Sequence, residues 1–591
     1  MPVTAAFLLM SLPSLMILMT GAAPISNMSS MSSMSSLSST SSTSSTSSTH
    51  AADLILYNGN IYTVESSTPH AEAVAVRDGR IVFVGGNAAA TALDGPATRK
   101  IDLRGATVVP GLIDAHGHVS GLGFLSTRLD LVGTGSADEI ARMVTAKAAT
   151  LKPGQWIRGR GWDQNDWKEM AFPTRATLDA ASPGNPVSLG RIDGHAIWVN
   201  SLALRIAGVT RDTPDPPGGQ IIHDASGEPT GVLVDRAESL IDSKIPEPTR
   251  EETREALKAG MQRCLEAGLT GVHDAGVGAL ELELYRELLV SGDFPFRIYA
   301  MLAGESAPVE GRPIAGWLEA RLDKGPELGL GDGRLTVRAV KLYMDGALGS
   351  RGAALLAAYQ DDPKNVGLLR MDPQRMRAMA ERSAKAGFQV CIHAIGDRGN
   401  RIALDVLEAA GRAGGSKDQR HRIEHAQVLS ADDLPRFAPL GVIASMQPTH
   451  ATSDMYWAAD RIGPQRVTGA YAWRSLLSSG ARLACGSDFP VESEKPLLGF
   501  YAAVTRQDAK GWPEAGWFPE QKLTREEALR CFTLDAAYAA FEETQRGSIV
   551  AGKRADLTVL SQDIMKVPPP EILKTTVKMT IVGGRIAFEP K

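Results

Sequence analysis

The chain has 591 residues, of which 43% are hydrophobic and 22% charged, a balance typical of a globular protein with one large and one smaller domain. Its 62 Lys and Arg residues against 67 Asp and Glu residues give a net charge of -5, without long runs of one sign. This pattern argues against nucleic acid or an acidic membrane surface as a partner and favours a small-molecule substrate. A homo-oligomer is compatible with the same composition.

The first 50 residues have the composition of a targeting segment followed by a tether. Residues 5–23 form an apolar run that ends in small residues but has no preceding Lys or Arg. We interpret residues 1–25 as a signal peptide, with an uncleaved membrane anchor as the alternative. Residues 26–50 are mostly Ser, Thr and Met and predict a disordered linker. The protein is therefore expected to be exported, to the periplasm or the extracellular space, and to contact a membrane only if the segment stays uncleaved.

Strand-turn-strand patterns occur at both ends of the remaining chain. Alternating apolar residues turn at Asn-Gly (58–59) and Asp-Gly (78–79), which are strong hairpin signals. Residues 547–586 repeat this pattern. The two ends, 51–107 and 541–591, are therefore predicted to form one small sheet domain together.

Between these ends, residues 108–540 alternate short β-branched runs with segments of helical length, which indicates a parallel α/β arrangement. Eight candidate strands begin near Val108, Thr270, Phe296, Val337, Phe388, Arg422, Val442 and Arg482. Eight is the number that a (β/α)8 TIM-like barrel requires. The gap after the first strand is too long for one helix, so residues 121–260 are predicted to form an insertion over the barrel mouth. A last helix is predicted from Thr524, because Glu527 completes a capping box.

A pair of histidines, His116 and His118, ends the first candidate strand. Residues i and i+2 of a strand point to the same side, so these two imidazoles are able to hold one ion from one direction. A chance His-x-His in a long chain is the alternative. Potential ligands at the ends of later strands favour the metal site, namely His393, His425 and Asp488. In a barrel, these ends converge on the C-terminal face, where active sites lie.

Lys341 is the unusual member of this set, because an ammonium group repels a cation. A lysine buried among apolar neighbours loses its charge more readily. The neutral amine is able to react with carbon dioxide to give a carbamate whose two oxygens would bridge two metal ions. The alternative is a lysine paired with a nearby carboxylate such as Asp345.

Several residues beyond the ligand set are candidates for substrate contact. Trp162 and Asp163 are flanked by glycines and are interpreted as a mobile contact loop, whereas Trp167 and Trp198 are expected to pack the insertion onto the barrel. The candidate substrate-binding residues are Trp162, Asp163, His195, Arg351 and His450.

The cysteines have no CxxC spacing and are too few to form a disulfide scaffold. They are Cys264, Cys391, Cys485 and Cys531. We interpret them as buried free thiols, and a second possibility is that Cys391 and Cys485 line one cavity wall.

The order HxH, Lys, His, His, Asp on successive strand ends lies within recognisable motifs. These are GLIDAHGH, VKLYMDGALGSR, CIHAIGDRGN, RIEHAQ and ACGSDFP. The pattern resembles the metal-dependent amidohydrolase superfamily. The segments GRGWDQNDW, RIDGH and MQPTH are similar to its branch containing N-substituted formamide deformylase. From residue 53 onward, the resemblance implies a distorted (β/α)8 barrel, a composite β-sandwich built from both termini, one or two zinc-like ions, and hydrolysis of C–N bonds.

Such an enzyme is expected to cleave an amide, N-formyl or cyclic amide bond with hydroxide, because a bound divalent metal lowers the pKa of its water to about 7. Asp488 would accept the proton and later deliver it to the leaving nitrogen. The same site would also suit a deaminase or an ester or lactone hydrolase. A non-catalytic binding protein on this barrel is the alternative from a different class.

Overall fold

The computed structural model describes residues 51–304 and 316–590. The predicted signal peptide or anchor and the predicted linker lie outside these ranges. Within them, no helix has both the length and the apolar character needed to cross a membrane.

The central element is a sheet of parallel strands that curves into a barrel. In chain order its strands are β1 (Leu112–Gly117), β2 (Leu269–Val277), β3 (Arg297–Ala303), β4 (Leu335–Tyr343), β5 (Gln389–Ala394), β6 (Arg422–His425), β7 (Ile443–Met446) and β8 (Arg482–Cys485). Each pairs in parallel with the next. A parallel bridge between Gly117 and Phe489 brings the first strand back to the last, so the sheet is a nearly closed (β/α)8 barrel.

At least one helix follows each barrel strand along the chain, as the alternating pattern predicts. These helices include Val119–Phe124, Arg250–Glu266, Ala279–Ser291, Trp317–Lys324, Pro373–Lys385, Asp397–Ala413, Phe437–Leu440, Pro448–Asp454, Ala458–Arg466, Trp473–Ser478, Pro496–Thr505, Arg525–Cys531 and Leu534–Ala539. The predicted capping box is confirmed, because Thr524 and Glu527 exchange side-chain and backbone hydrogen bonds at the start of Arg525–Cys531.

Strands from both ends of the described chain pair in one six-stranded sheet. The N-terminal strand Thr107–Pro110 lies between Asn60–Tyr62 and the C-terminal strand Leu557–Leu560. A four-stranded sheet that includes Leu54–Tyr57 and Ala73–Arg77 contributes to the same apolar core. The composite arrangement therefore rests on direct strand pairing between the two ends.

The first barrel strand starts later than the prediction near Val108. Val108 belongs to the small sheet, and the barrel strand begins at Leu112. Gly111 separates the two strands where the chain passes close to Thr270, because a Cβ atom there would lie 2.4 Å from the Thr270 hydroxyl. One continuous apolar run thus serves two sheets, which the hydrophobic pattern alone does not reveal.

The predicted insertion contains a six-stranded sheet of its own. Its strands are Leu129–Asp130, Ile157–Trp162, Val187–Arg191, Ala196–Val199, Gly219–His223 and Pro229–Asp235. Its helices include Ala137–Ala148, Arg175–Ala181, Ser201–Ala207 and Ser239–Asp242. The helices Val119–Phe124 and Arg250–Glu266 pack closely on each other, since a Cβ at Gly123 would lie 1.8 Å from the Ala256 carbonyl oxygen.

The free-thiol interpretation is wrong for two of the four cysteines. Cys485, at the end of β8, forms a disulfide with Cys531, at the end of Arg525–Cys531. Cys264 and Cys391 are free and buried. The paired cysteines are 46 residues apart with no motif between them, so only the packing of the helix on the strand brings them together.

Candidate metal centre and active-site cavity

The closure of the barrel brings its first and last strands together at their carboxyl ends. The Asp488 amide donates to the His116 carbonyl (2.7 Å), and the His118 amide donates to the Phe489 carbonyl (2.8 Å). Asp488 adopts a left-handed backbone conformation (φ 61°), which turns the chain sharply after β8. Such conformations are uncommon for residues other than glycine and cluster at functional sites. The two histidines and the aspartate therefore meet at the barrel mouth.

Three side chains converge at this point with spacing suited to one ion. His118 Nε2 lies 3.0 Å and His116 Nε2 lies 3.5 Å from Asp488 Oδ1. Ligand atoms that bind zinc tetrahedrally at about 2.0–2.1 Å lie roughly 3.3 Å from one another. The observed spacing fits a shared divalent cation.

The hydrogen bonds of the outer ring nitrogens support the same conclusion. His116 Nδ1 bonds to Glu424 Oε2 (2.5 Å), and His118 Nδ1 bonds to the Ala275 carbonyl (2.8 Å). Both partners are acceptors, so each Nδ1 carries the hydrogen and each Nε2 of the neutral ring has a free lone pair. These lone pairs face the carboxylate of Asp488, which is also an acceptor. A cation is the group that would satisfy all three, and the residues therefore fit a metal.

His425 and His393 extend the site along the next strands. The His425 ring centroid lies 5.0 Å from that of His116 and 4.6 Å from that of His393. His425 Nδ1 bonds to Gln447 Oε1 (2.8 Å), which leaves its Nε2 for a ligand. His393 Nε2 lies 3.7 Å from Asp345 Oδ1. The rings form a continuous row over the barrel mouth.

Lys341, the remaining predicted ligand, is buried beside the first histidine. Its Nζ lies 3.3 Å from His116 Nε2 and 4.5 Å from the centroid of the Tyr343 ring. Pairing with Asp345, the alternative from the sequence, is not observed in the described structure. Asp345 instead accepts backbone hydrogen bonds from Ala354, Ile395 and Gly396.

Burial and charge keep the ligand groups in their binding forms. Burial, aided by the Lys341 charge, lowers the pKa of His116 to about 4, and burial holds the pKa values of His393 and His425 well below the usual range. Burial opposes ionisation of Asp488, but its contact with His118 and the other nearby imidazoles hold its pKa well below its usual value. Neutral imidazoles beside a carboxylate are the forms that bind divalent metals.

A buried ion pair supports His116 from behind, and sequence reasoning missed it. Glu424 and Arg422 are both fully buried, with Arg422 Nε 2.7 Å from Glu424 Oε1. Burial opposes the charge on Glu424, but Arg422 and His116 hold the pKa of Glu424 well below its usual range. The one sequence signal for this pair is the two-residue period of a strand, which puts the side chains of residues 422 and 424 on the same side of β6.

Asp114 is a second residue that the sequence reasoning did not identify. It accepts hydrogen bonds from the amides of His116 and Ser487 and from the Ser487 hydroxyl. Burial raises the pKa of Asp114 to about 7. Asp114 thus ties the end of β1 to the turn that carries Asp488.

A cavity of about 820 Å³ opens from the ligand cluster toward the insertion. Three predicted substrate-binding residues, Asp163, His195 and His450, line it. The His195 ring lies 5.0 Å from that of His393, and the His450 ring stacks on His425 at 5.8 Å. His450 Nε2 is buried without a hydrogen-bond partner, and Asp163 pairs with Arg191.

The prediction for Trp162 is wrong, because this side chain lies in the core of the insertion. It is fully buried and packs against Trp167 and Trp198, and its Nε1 donates to the Leu189 carbonyl. It ends the strand Ile157–Trp162 and does not belong to a loop. The pairing register shifts between residues 160 and 162, and this bulge turns Trp162 to the core side of the sheet.

Arg351 is also not a cavity residue. Its guanidinium Nη2 lies 2.8 Å from Asp361 Oδ2. The residue has a positive φ (61°), its amide donates to the Leu348 carbonyl, and its side chain is not among those that line the cavity. A backbone conformation of this kind is not predictable for an arginine from its neighbours.

Comparisons with known proteins agree with this geometry. Residues 99–588 match the Amidohydrolase family. The chain is 38% identical to Protein LONG AFTER FAR-RED 3 of Arabidopsis thaliana, over 90% of this chain and 91% of that protein. It is 32% identical to N-substituted formamide deformylase of Arthrobacter pascens, over 91% of this chain and 98% of that enzyme.

A solved structure shows the same relationship. The crystal structure of an uncharacterized metal-dependent hydrolase from Pyrococcus horikoshii has a TM-score of 0.69 and 28% identity, covering 87% of this chain and 99% of that chain. The convergent histidines and aspartate, the barrel and these relatives lead to one conclusion. The chain belongs to the amidohydrolase family and is a metal-dependent hydrolase of C–N bonds.

Proposed function

We propose that the protein hydrolyses a non-peptide amide of the N-substituted formamide or N-acyl amine type. The observation that carries this proposal is the convergence of two imidazole lone pairs and the Asp488 carboxylate at one end of the large cavity. The similarity to N-substituted formamide deformylase over nearly the whole chain supports the same bond type.

Zn²⁺ is the metal that we propose, as one or two ions. Nitrogen ligands from histidine with one or more carboxylate oxygens are typical of zinc sites. His116, His118 and Asp488 would hold one ion. We propose that His425 and His393 complete this site or hold a second, because the His425 ring lies 5.0 Å from that of His116 and 4.6 Å from that of His393. A bound divalent ion supplies a Lewis acid and lowers the pKa of water to about 7.

Asp488 is the proposed proton carrier. It is a carboxylate at neutral pH and lies beside both N-terminal histidines, so it is placed to accept the proton of the attacking water. It would then donate that proton to the nitrogen of the leaving amine as the C–N bond breaks. One residue therefore acts first as a base and then as an acid.

His450 is the proposed partner for a polar atom of the substrate. Its Nε2 is buried without a hydrogen bond and lies 3.9 Å from Asp488 Oδ2, so an amide bound beside Asp488 would lie within its reach. Leaving a buried polar atom unpaired costs about 1–3 kcal/mol, which a substrate hydrogen bond would recover.

For Lys341 we propose the carbamate that the sequence suggested. The lysine amine and carbon dioxide would form an N–C bond with release of one proton, giving an anion beside His116, whose Nε2 lies 3.3 Å from the Lys341 Nζ. A carbamate would remove the repulsion between an ammonium and a metal ion. Its signature is metal loading that depends on added bicarbonate and is lost in Lys341→Met.

The test is turnover of N-formyl and N-acetyl amines by purified protein of measured metal content. We expect activity that is lost on chelation and restored by Zn²⁺. Asp488→Asn should lower kcat by about 100-fold or more, the usual size of a lost acid–base group. Asp166→Asn is the matched control, because Asp166 lines the same cavity but does not belong to the cluster of metal ligands. Full activity after metal removal, or in Asp488→Asn, would contradict the proposal.

We also propose that the protein is exported. The Cys485–Cys531 disulfide supports this, because disulfides persist in oxidising compartments and are rare in the cytosol of most organisms. Fractionation of expressing cells, with detection of the protein outside the cytoplasm, tests this proposal; recovery only in the cytosol with four free thiols would refute it.

A further inference from the structure

Two arginines on the insertion side of the active-site cavity have no carboxylate partner. Arg160 lies in the strand Ile157–Trp162, and Arg128 precedes the strand Leu129–Asp130; both line the cavity that contains the metal ligands. Arg160 donates from Nη2 to the Ile192 carbonyl (2.7 Å), while its Nη1 is buried without a hydrogen bond. The Arg128 guanidinium lies 4.8 Å from the centroid of the Phe124 ring.

The other arginines of the same cavity are paired, which makes these two distinct. Arg191 bonds to Asp163 and Asp193, and Arg263 bonds to Glu494. Arg370 Nη1 lies 3.7 Å from Asp235 Oδ1. In the described part of the chain, neither Arg128 nor Arg160 forms an ion pair. The positive charges of Arg128 and Arg160 on this wall of the cavity therefore have no protein carboxylate in contact with them.

The two guanidinium groups are also close enough to repel each other. Burial first, and then the charges of Arg158 and Arg160, lower the pKa of Arg128 to about 10. Two acidic groups near Arg160 are weak counterions for it: Asp193 already pairs with Arg191, and burial raises the pKa of Glu238 well above its usual range. Like charges on a partly desolvated wall are costly, and an anionic ligand would relieve that cost.

The position of Arg160 links this wall to the reacting centre. Among the opposite charges that act on Arg160, Asp488 is the strongest. The glycines on either side of Arg160 let neighbouring backbone approach: a Cβ at Gly161 would lie 2.7 Å from the Val132 amide nitrogen. The strand thus presents Arg160 in the wall of the cavity that the metal ligands also line.

We propose that Arg160 and Arg128 bind a carboxylate carried by the substrate, so that the preferred substrate is an amide that bears an acidic group. This inference rests on the amide hydrolysis proposed above and adds the substrate's charge. Arginine is suited to this role, because its planar fork of N–H donors matches a carboxylate. The bound carboxylate would position the amide bond next to Asp488. Because the carboxylate does not take part in the reaction, its binding mainly affects KM.

The test compares two formamides that differ only by a carboxylate, N-formyl-L-phenylalanine and N-formyl-2-phenylethylamine. We expect kcat/KM to be about tenfold or more higher for the acid, the factor that one charged hydrogen bond supplies. In Arg160→Gln the ratio of the two kcat/KM values should fall to near one, mainly because KM for the acid rises. In Arg128→Gln the ratio should fall to an intermediate value. Arg158→Gln is the matched control, because Arg158 lies on the same strand, is partly buried, and does not line the cavity.

The outcomes separate the two proposals. Equal turnover of both formamides by the wild type, or an unchanged ratio in Arg160→Gln, would overturn the carboxylate site and leave amide hydrolysis intact. Equal turnover of both formamides by the wild type, together with weaker inhibition by formate in Arg160→Gln, would assign the arginines to the released acid and would also overturn it. If neither formamide is hydrolysed, the formamide proposal fails, and calorimetry with N-formyl-L-phenylalanine decides the site: binding about tenfold weaker in Arg160→Gln supports it, and equal binding refutes it.

Discussion

Replacing Glu424 by glutamine should weaken metal binding without touching a ligand. The Glu424 carboxylate accepts the Nδ1–H of His116 at 2.5 Å, which fixes the ring and leaves Nε2 as the metal donor. An amide in its place either accepts more weakly or presents its NH₂ group to the same hydrogen. Loss of such a supporting carboxylate typically costs 10- to 100-fold in metal affinity, or about 1.4–2.8 kcal/mol.

A second effect of Glu424→Gln must be separated from the first. Arg422 would lose its buried partner, and removing one member of a buried pair destabilises a protein by about 3–5 kcal/mol. The matched control is Asp556→Asn, which breaks the equally buried Arg297–Asp556 pair, with Nε–Oδ2 at 2.6 Å, without contacting a histidine. Both variants should lose stability in urea, but only Glu424→Gln should lose metal affinity.

The assay is competition for Zn²⁺ against a chromogenic chelator at fixed pH, with folding of each variant verified by circular dichroism. Folded Glu424→Gln with wild-type zinc affinity would refute the role given to this carboxylate. Equal losses of affinity in Glu424→Gln and Asp556→Asn would show that general destabilisation is responsible.

Three further predictions concern pH, the disulfide and the insertion. The pKa of His116 is lowered from 6.5 to about 4 by burial, so the unfolded chain binds the extra proton first. Stability of the metal-free protein should therefore fall as the pH drops from about 6.5 to 4, by about 3 kcal/mol from this residue, and urea titrations should show a smaller fall in His116→Asn. Protein denatured without reductant should have two titratable thiols, whereas four thiols would contradict the disulfide. The free energy of unfolding of Cys485→Ala/Cys531→Ala should be lower by about 4 kcal/mol, the value expected for a 46-residue loop. Gly161→Val should lower the melting temperature far more than Gly133→Val, because Gly161 (φ 113°) meets Val132 closely whereas a Cβ at Gly133 (φ 76°) has no neighbour within 4 Å; equal shifts would refute the close packing.

Much of the barrel was predictable from sequence because its signals are local. Parallel strands buried on both faces give continuous apolar runs, and ligands at their carboxyl ends must converge on one face. This rule predicts the positions of His116, His118, His393, His425 and Asp488, and the structure has each of them at or near the carboxyl end of a barrel strand. The Lys341 position followed from the same rule.

The errors have a different physical origin, since each depends on non-local packing. If side chains alternated strictly along the strand through Gly161, Trp162 would point to the same side as Arg160, toward the cavity. The bulge between residues 160 and 162 instead turns Trp162 to the core side. Arg351 has a positive φ and pairs with Asp361. Glu424 becomes important only because His116 of β1 lies against β6 in the barrel. The pairing of Cys485 with Cys531 likewise depends on one helix docking on β8.

The central claim is that residues from the first and last strands hold one metal ion together. An anomalous difference map recorded at the zinc edge from crystals of the purified enzyme tests it most directly. We predict a peak about 2.0–2.1 Å from Nε2 of His116 and from Nε2 of His118, with Asp488 in the same coordination sphere. The absence of a peak at these three residues after zinc is supplied in excess, with or without peaks elsewhere, would contradict the account.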